Sequence, residues 1–259
     1  MTVSSHADAY HDSHSVINQT DFPHAPNNFV QNNVYNTHPT RSESSPIPNR
    51  KDEKWLKALF LTDPKVDRDK LVQVKGDRVE HTCEWVLRNE SFRAWREGSL
   101  RSLWIRGGPG KGKTMISIFL TKQLEYEKCM YYFCAAGDVR RNNAAAVLRA
   151  LLWQLVSRHP DLASKLRQRS EAEEHIQQIL GTAETLWNIF IELMNELTLL
   201  QVFCILDGLD ECDQESSSWL ATKIASWSKS DNACKLKVLV VSRKHTKPNE
   251  HDTNQFGQR

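Results

Sequence analysis

Hydrophobic positions along this chain change their spacing twice. Residues 1–50 carry few apolar side chains and no sustained period. From residue 51 the apolar positions recur at helical spacing. "DEKWLKALFL" (52–61) predicts a short helix stopped by "TDP" (62–64), and a second pattern runs through "DKLVQV" (69–74) until Lys75-Gly76 breaks it. A third covers Val79, Cys83, Val86, Leu87, Phe92 and Trp95 and closes at Gly98. Beyond Gly98, short continuous apolar runs alternate with amphipathic stripes. "LRSLWIR" (100–106), "CMYYFCAA" (129–136), "QVFCILD" (201–207) and "LKVLVV" (236–241) read as strands. Between them lie predicted helices. One runs from about Lys113 through Leu124, and another carries the stripe Val147, Leu148, Leu151, Leu152, Leu155 and Val156 before His159-Pro160. A polar helix, "LWNIFIELMNEL" (186–197) and "SSSWLATKIASW" (216–227) complete the set. Strands without polar alternation are buried on both faces, so the pattern predicts an α/β fold with a parallel sheet between helical layers.

Composition sharpens the boundaries. Residues 1–50 hold five of the nine prolines, seven asparagines, seven serines and five histidines. Such a segment cannot bury enough apolar surface to offset its ordering entropy, so it reads as a disordered polar tail. The irregular spacing of its histidines argues against a metal site. Residues 51–98 then form a helical lead-in, 99–243 the α/β core, and 244–259 a polar unstructured tail. Thirty-four lysines and arginines stand against 32 acidic residues, a net charge of +2 that gives no ground for a nucleic-acid partner. The six cysteines (83, 129, 134, 204, 212, 234) show no metal-binding spacing, and Cys134 and Cys204 sit in apolar runs as small buried hydrophobes. With no signal peptide and no apolar run long enough to span a membrane, a soluble cytoplasmic protein is expected.

The chemistry concentrates at two strand ends. Gly107-Gly108-Pro109-Gly110-Lys111-Gly112-Lys113-Thr114 fits G-x-x-x-x-G-K-[ST], placed after a strand and opening a helix. Glycines let the backbone curl so that its N–H groups point at phosphate oxygens, and the helix start adds unpaired donors and a favourable dipole. Lys113 would reach the β- and γ-phosphates and the Thr114 hydroxyl would ligate Mg²⁺, whereas Lys111 occupies a variable position. In "VFCILDGLDEC", Asp207 falls at the C-terminal end of a buried strand, where it can hold Mg²⁺ through water opposite Thr114. Asp210 and Glu211 follow a Gly-Leu step, and one of them would orient or deprotonate an attacking water. The competing reading of these acids is a turn that caps the next helix. Lys113 and Asp207 are 94 residues apart with another strand between them, the arrangement of the ATPase branch of P-loop folds. At the end of the fourth strand Ser242-Arg243 is a candidate γ-phosphate sensor, or the start of a basic loop.

On these residues the chain resembles the NACHT domain of fungal NOD-like (STAND) P-loop NTPases, the nephrocystin-3-like N-terminal group. The resemblance runs from about Trp55 to Arg243. It is carried by "TDP", "KG" (75–76), "LWIRGGPGKGKTM" (103–115), "YYF" (131–133), "DVRRNNAAAVLRALLWQL" (138–155) and "ILDGLDEC" (205–212). It implies a three-layer P-loop fold that binds ATP or GTP with Mg²⁺. Asp207 would be the metal aspartate, Asp210 or Glu211 the water-activating acid, and Arg243 part of the sensor. It also implies a switch whose nucleotide state controls oligomerisation and signalling, often in incompatibility. Lys244-His245 depart from the family's Ser-Arg-Pro sensor, and a fifth strand, lid and winged helix do not fit in residues 244–259. The resemblance therefore predicts a C-terminally incomplete switch of sheet order 5-1-4-3-2, its first core strand left as an unpaired edge. Slow or absent hydrolysis is expected. A nucleotide-independent module docking on full-length NOD-like relatives through residues 51–98 is the alternative, and a small-molecule P-loop kinase a weaker third.

Overall fold

The structure, a computed structural model, describes residues 14–18, 50–98, 100–124, 129–170, 172–197, 201–230 and 236–243. Most of the expected N-terminal tail, all of the expected C-terminal tail and Cys234 lie outside these residues. The strands are β1 (His14–Asn18), β2 (Ser102–Arg106), β3 (Met130–Phe133), β4 (Val202–Asp207) and β5 (Leu236–Ser242), all paired in parallel. The helices are α1 (Arg50–Leu59), α2 (Pro64–Lys75), α3 (Trp85–Arg88), α4 (Glu90–Glu97), α5 (Lys113–Gln123), α6 (Ala144–Arg158), α7 (Ala163–Arg169), α8 (Glu173–Leu180), α9 (Ala183–Glu196) and α10 (Gln214–Lys229).

Every residue of β4 and β5 is buried, as the unbroken apolar runs require of strands covered on both faces. Successive side chains point to opposite faces, which sorts the sheet into two cores. Tyr132, Cys204, Leu206, Val238 and Val240 meet the stripes of α6, α9 and α10 on one side. Tyr131, Phe133, Phe203, Ile205, Leu239 and Val241 meet α4 and α5 on the other. The result is the expected three-layer α/β fold. Both ends of the lead-in are built into these cores. Trp55 of α1 is buried and donates its indole N–H to the Ser170 carbonyl at 3.0 Å. Trp95 of α4 donates to the Val238 carbonyl at 3.1 Å and packs on Phe203 at 5.1 Å between ring centres. Burying a side chain of this size contributes about 3 kcal/mol.

The third helical pattern of the lead-in is not one helix. Positive φ at His81 (62°) and Cys83 (70°) turns the chain before α3, and Asn89 accepts the Phe92 N–H at 3.1 Å to start α4 afresh. Val79, which the pattern counted as apolar periodicity, is 72% exposed.

The sheet order is β1-β2-β5-β4-β3. Its last four strands reproduce the expected 1-4-3-2 order, but the expected bare edge at β2 is not there. β1 runs parallel to β2 with His14 opposite Ser102 and Asn18 opposite Arg106. A segment read as unfolded thus supplies a strand, and it pairs with backbone groups on the side of β2 that was expected to stay open.

The opposite edge, β3, is closed differently. Gln154 of α6 is buried; its amide accepts the Tyr131 N–H at 3.1 Å and donates to the Tyr131 carbonyl at 2.9 Å. Arg141 donates to the Phe133 carbonyl (2.9 Å) and Arg158 to the Cys129 carbonyl (2.7 Å). Three side chains therefore do along β3 what a neighbouring strand would do with its backbone.

Candidate functional site

The parallel sheet sends the C-terminal ends of β2, β4 and β5 to one side, and the loops that follow them meet there. From β2 the chain enters the glycine loop. Gly107 donates its N–H to the Ser242 carbonyl at 3.3 Å, so this amide braces the loop against β5. Gly112 then takes φ 71°, ψ 16°, a left-handed conformation in which a side chain is strained, and α5 begins at Lys113. A Cβ placed on Gly110 or Gly112 would meet nothing within 4 Å, so the loop faces open space. The Lys113 ammonium lies back over the loop and donates to the Gly108 carbonyl at 2.8 Å. Burial draws its pKa down, and Asp210 opposes that shift.

Facing the loop, β4 ends at Asp207, which is 6% exposed. The Ser117 hydroxyl donates to its Oδ1 at 2.7 Å, and the Thr114 hydroxyl is a second hydrogen-bond partner. Burial pushes the Asp207 carboxyl up to about 6, although both hydroxyls favour its charged form. Gly208 takes φ 71° and donates to the Val241 carbonyl at 2.8 Å, and residues 209–211 form a single 3₁₀ turn. That turn carries Asp210 and Glu211 in different directions. Asp210 accepts from the Arg243 N–H at 2.9 Å and pairs with its guanidinium at 3.2 Å. Glu211 reaches the Ala136 N–H, with Oε2 at 3.4 Å. Neither caps the next helix: Asp213 does so, accepting the Ser216 N–H at 2.7 Å.

The cleft between these elements has a volume of about 300 Å³, at the lower end of the range of small-molecule sites. Pro109 through Thr114, Asp207, Asp210, Glu211 and Arg243 all line it. Of the candidate residues, Gly107, Gly108 and Ser242 stand back from its wall. The donors suit a hard cation that keeps water and shares phosphate oxygens. Thr114 and Asp207 offer a hydroxyl and a carboxylate, and no cluster of three His, Cys, Asp or Glu exists among the described residues to cage a metal outright.

Comparison with known proteins places the chain in a family. The family described as Nephrocystin 3, N-terminal matches residues 81–243, more than half of the chain. The chain belongs to this family. Over 171 residues it is also 36% identical to the vegetative incompatibility protein HET-E-1 of Podospora anserina. That alignment takes in 62% of this chain and 12% of HET-E-1, so the chain corresponds to a small part of that relative's length. The family match covers the NACHT resemblance from residue 81 onward, and the "TDP" and "KG" motifs of that resemblance precede it.

Two residues reach the site without having been singled out for it. Ser117 was legible in principle, because it lies three residues after Thr114 and a helix puts such positions on one face. Lys75 lines the cleft from the end of α2, and only the tertiary path of the lead-in brings it there. No described helix is long and apolar enough to cross a membrane.

Proposed function

We propose that this chain is the nucleotide-binding part of a NACHT-type signalling switch, taking ATP or GTP together with Mg²⁺ and hydrolysing it slowly. One observation carries the reading: the glycine loop with Lys113 and Thr114, and Asp207 on the neighbouring strand end, line a single cleft. The loop amides and the first turn of α5 offer N–H groups to phosphate oxygens, and Lys113 adds a charge to the terminal phosphates. Thr114 and Asp207 would hold Mg²⁺, which when bound neutralises phosphate charge. Of the two acids of the 3₁₀ turn, Glu211 is the better candidate to orient a water, because the Asp210 carboxylate is engaged by Arg243. Arg243 would sense the terminal phosphate from the place where Asp210 holds it. A signalling role, with assembly of copies or of NOD-like relatives governed by the nucleotide, is proposed from the likeness to HET-E-1.

Titration calorimetry with Mg·ATP and Mg·GTP tests the central claim. Micromolar binding by the wild type and loss of at least tenfold in affinity in Lys113→Ala are expected. Equal affinity in both proteins would sink it.

A further inference from the structure

Lys75 lies six residues before the family match begins at residue 81, yet it forms part of the wall of the cleft with Thr114 and Asp207. Its position is fixed by buried anchors at the far end of its helix. Asp63 accepts the Lys65 N–H at 2.8 Å and Pro64 opens α2, which sets the start of the helix. Asp67 and Arg68 are each 6% exposed. Asp67 pairs with Arg141 at 3.4 Å, and the Arg68 guanidinium sits 5.2 Å from the centre of the Tyr131 ring. These contacts pin α2 against β3. From Arg68 the helix runs on to its last residue, about 10 Å, delivering Lys75 to the cleft. Gly76 ends the helix with φ 81°, its N–H donating to the Val72 carbonyl at 2.9 Å.

The charges of the cleft give Lys75 a task. Arg243 is already engaged by Asp210, which leaves Asp207 and Glu211 facing Lys111 and Lys113. A triphosphate entering such a cleft meets two unpaired carboxylates. The C-terminus of α2, turned toward the same space, presents the negative end of its helix dipole. A lysine in that last turn reverses the local sign. No hydrogen bond or ion pair engages Lys75 among the described residues.

We propose that Lys75 is a phosphate-binding cation of the nucleotide site, supplied from outside the P-loop core by the lead-in helix α2. The inference rests on the nucleotide reading above and extends it. Nucleotide occupancy would then bear directly on α2, and through Asp67 and Arg68 on the edge of the sheet.

Titration calorimetry of the full chain with Mg·ATP and with inorganic tripolyphosphate, in wild type, Lys75→Ala, Lys75→Arg and Lys113→Ala, tests it. Lys75→Ala should weaken both ligands about tenfold, and Lys75→Arg should stay within about threefold of wild type. The thermal midpoint of the ligand-free Lys75→Ala protein should match wild type, because the side chain is exposed. Affinity of Lys75→Ala within twofold of wild type, while Lys113→Ala loses binding, overturns the role of Lys75 and leaves the nucleotide reading standing. A loss for ATP with none for tripolyphosphate overturns the phosphate assignment. A wild-type chain that binds neither ligand overturns both readings.

Discussion

Asp210 holds Arg243 at two points, through the backbone N–H at 2.9 Å and the guanidinium at 3.2 Å. On the proposed function, this contact divides labour between two neighbouring acids that look interchangeable in "DGLDEC". Asp210 would position Arg243, and Glu211 keeps a carboxylate with one long contact, 3.4 Å from the Ala136 N–H.

Single-turnover hydrolysis of ATP separates these roles. Glu211→Gln should slow the chemical step by about 100-fold or more, the usual size of a general-base contribution. Asp210→Ala and Arg243→Ala should each slow it less, and the double variant should be no worse than either alone. A double-mutant cycle then gives a coupling of about 1 kcal/mol. Additive losses would show that the pair does not act as a unit.

The buried carboxyl of Asp207 makes a second prediction, for the protein without divalent cations. Its folded-state pKa is pushed up to about 6, while an aspartate in an unfolded chain titrates near 3.9. Between those values the native state keeps the proton and the unfolded state releases it, so stability falls as pH rises through the window and then levels off. The group contributes a loss of up to about 3 kcal/mol between pH 4 and 7. Urea titrations across that range should show Asp207→Asn losing correspondingly less stability than wild type. Parallel pH profiles would mean that Asp207 titrates normally.

At the edge strand β3, Gln154 satisfies both backbone groups of Tyr131 and also donates to the Ala150 carbonyl at 3.2 Å. Gln154→Leu keeps the volume but strands an N–H and a C=O in a buried setting. A loss of about 2–4 kcal/mol is expected, read as a lower urea midpoint with an unchanged slope. A variant within 0.5 kcal/mol of wild type, the ordinary scatter of surface substitutions, would remove the edge-sealing role.

The sequence carried the core of this fold because its signals there are local. β4 and β5 are continuous apolar runs, and the stripe Val147–Val156 is one face of one helix. That the glycine loop and Asp207 meet in one cleft was legible because each stands at the end of a strand the apolar runs already mark. What stayed hidden depends on partners distant in the chain. Nothing in "HSVIN" distinguishes it from its polar surroundings except Val16-Ile17, and its role comes from the open side of β2. Lys75 reads as the last residue of an ordinary helix until α2 is anchored on β3. Nor does the order of Asp210 and Glu211 reveal which one turns to Arg243, since a 3₁₀ turn and Gly208 decide it.

The side chains along β3 have one more effect. Arg141, Gln154 and Arg158 occupy the Tyr131 N–H and carbonyl and the Phe133 and Cys129 carbonyls along that margin, so an incoming strand would have to displace them. Growth of the sheet from copy to copy is disfavoured there, which turns any filament or ring this chain joins toward its helices, its loops or the far margin at β1.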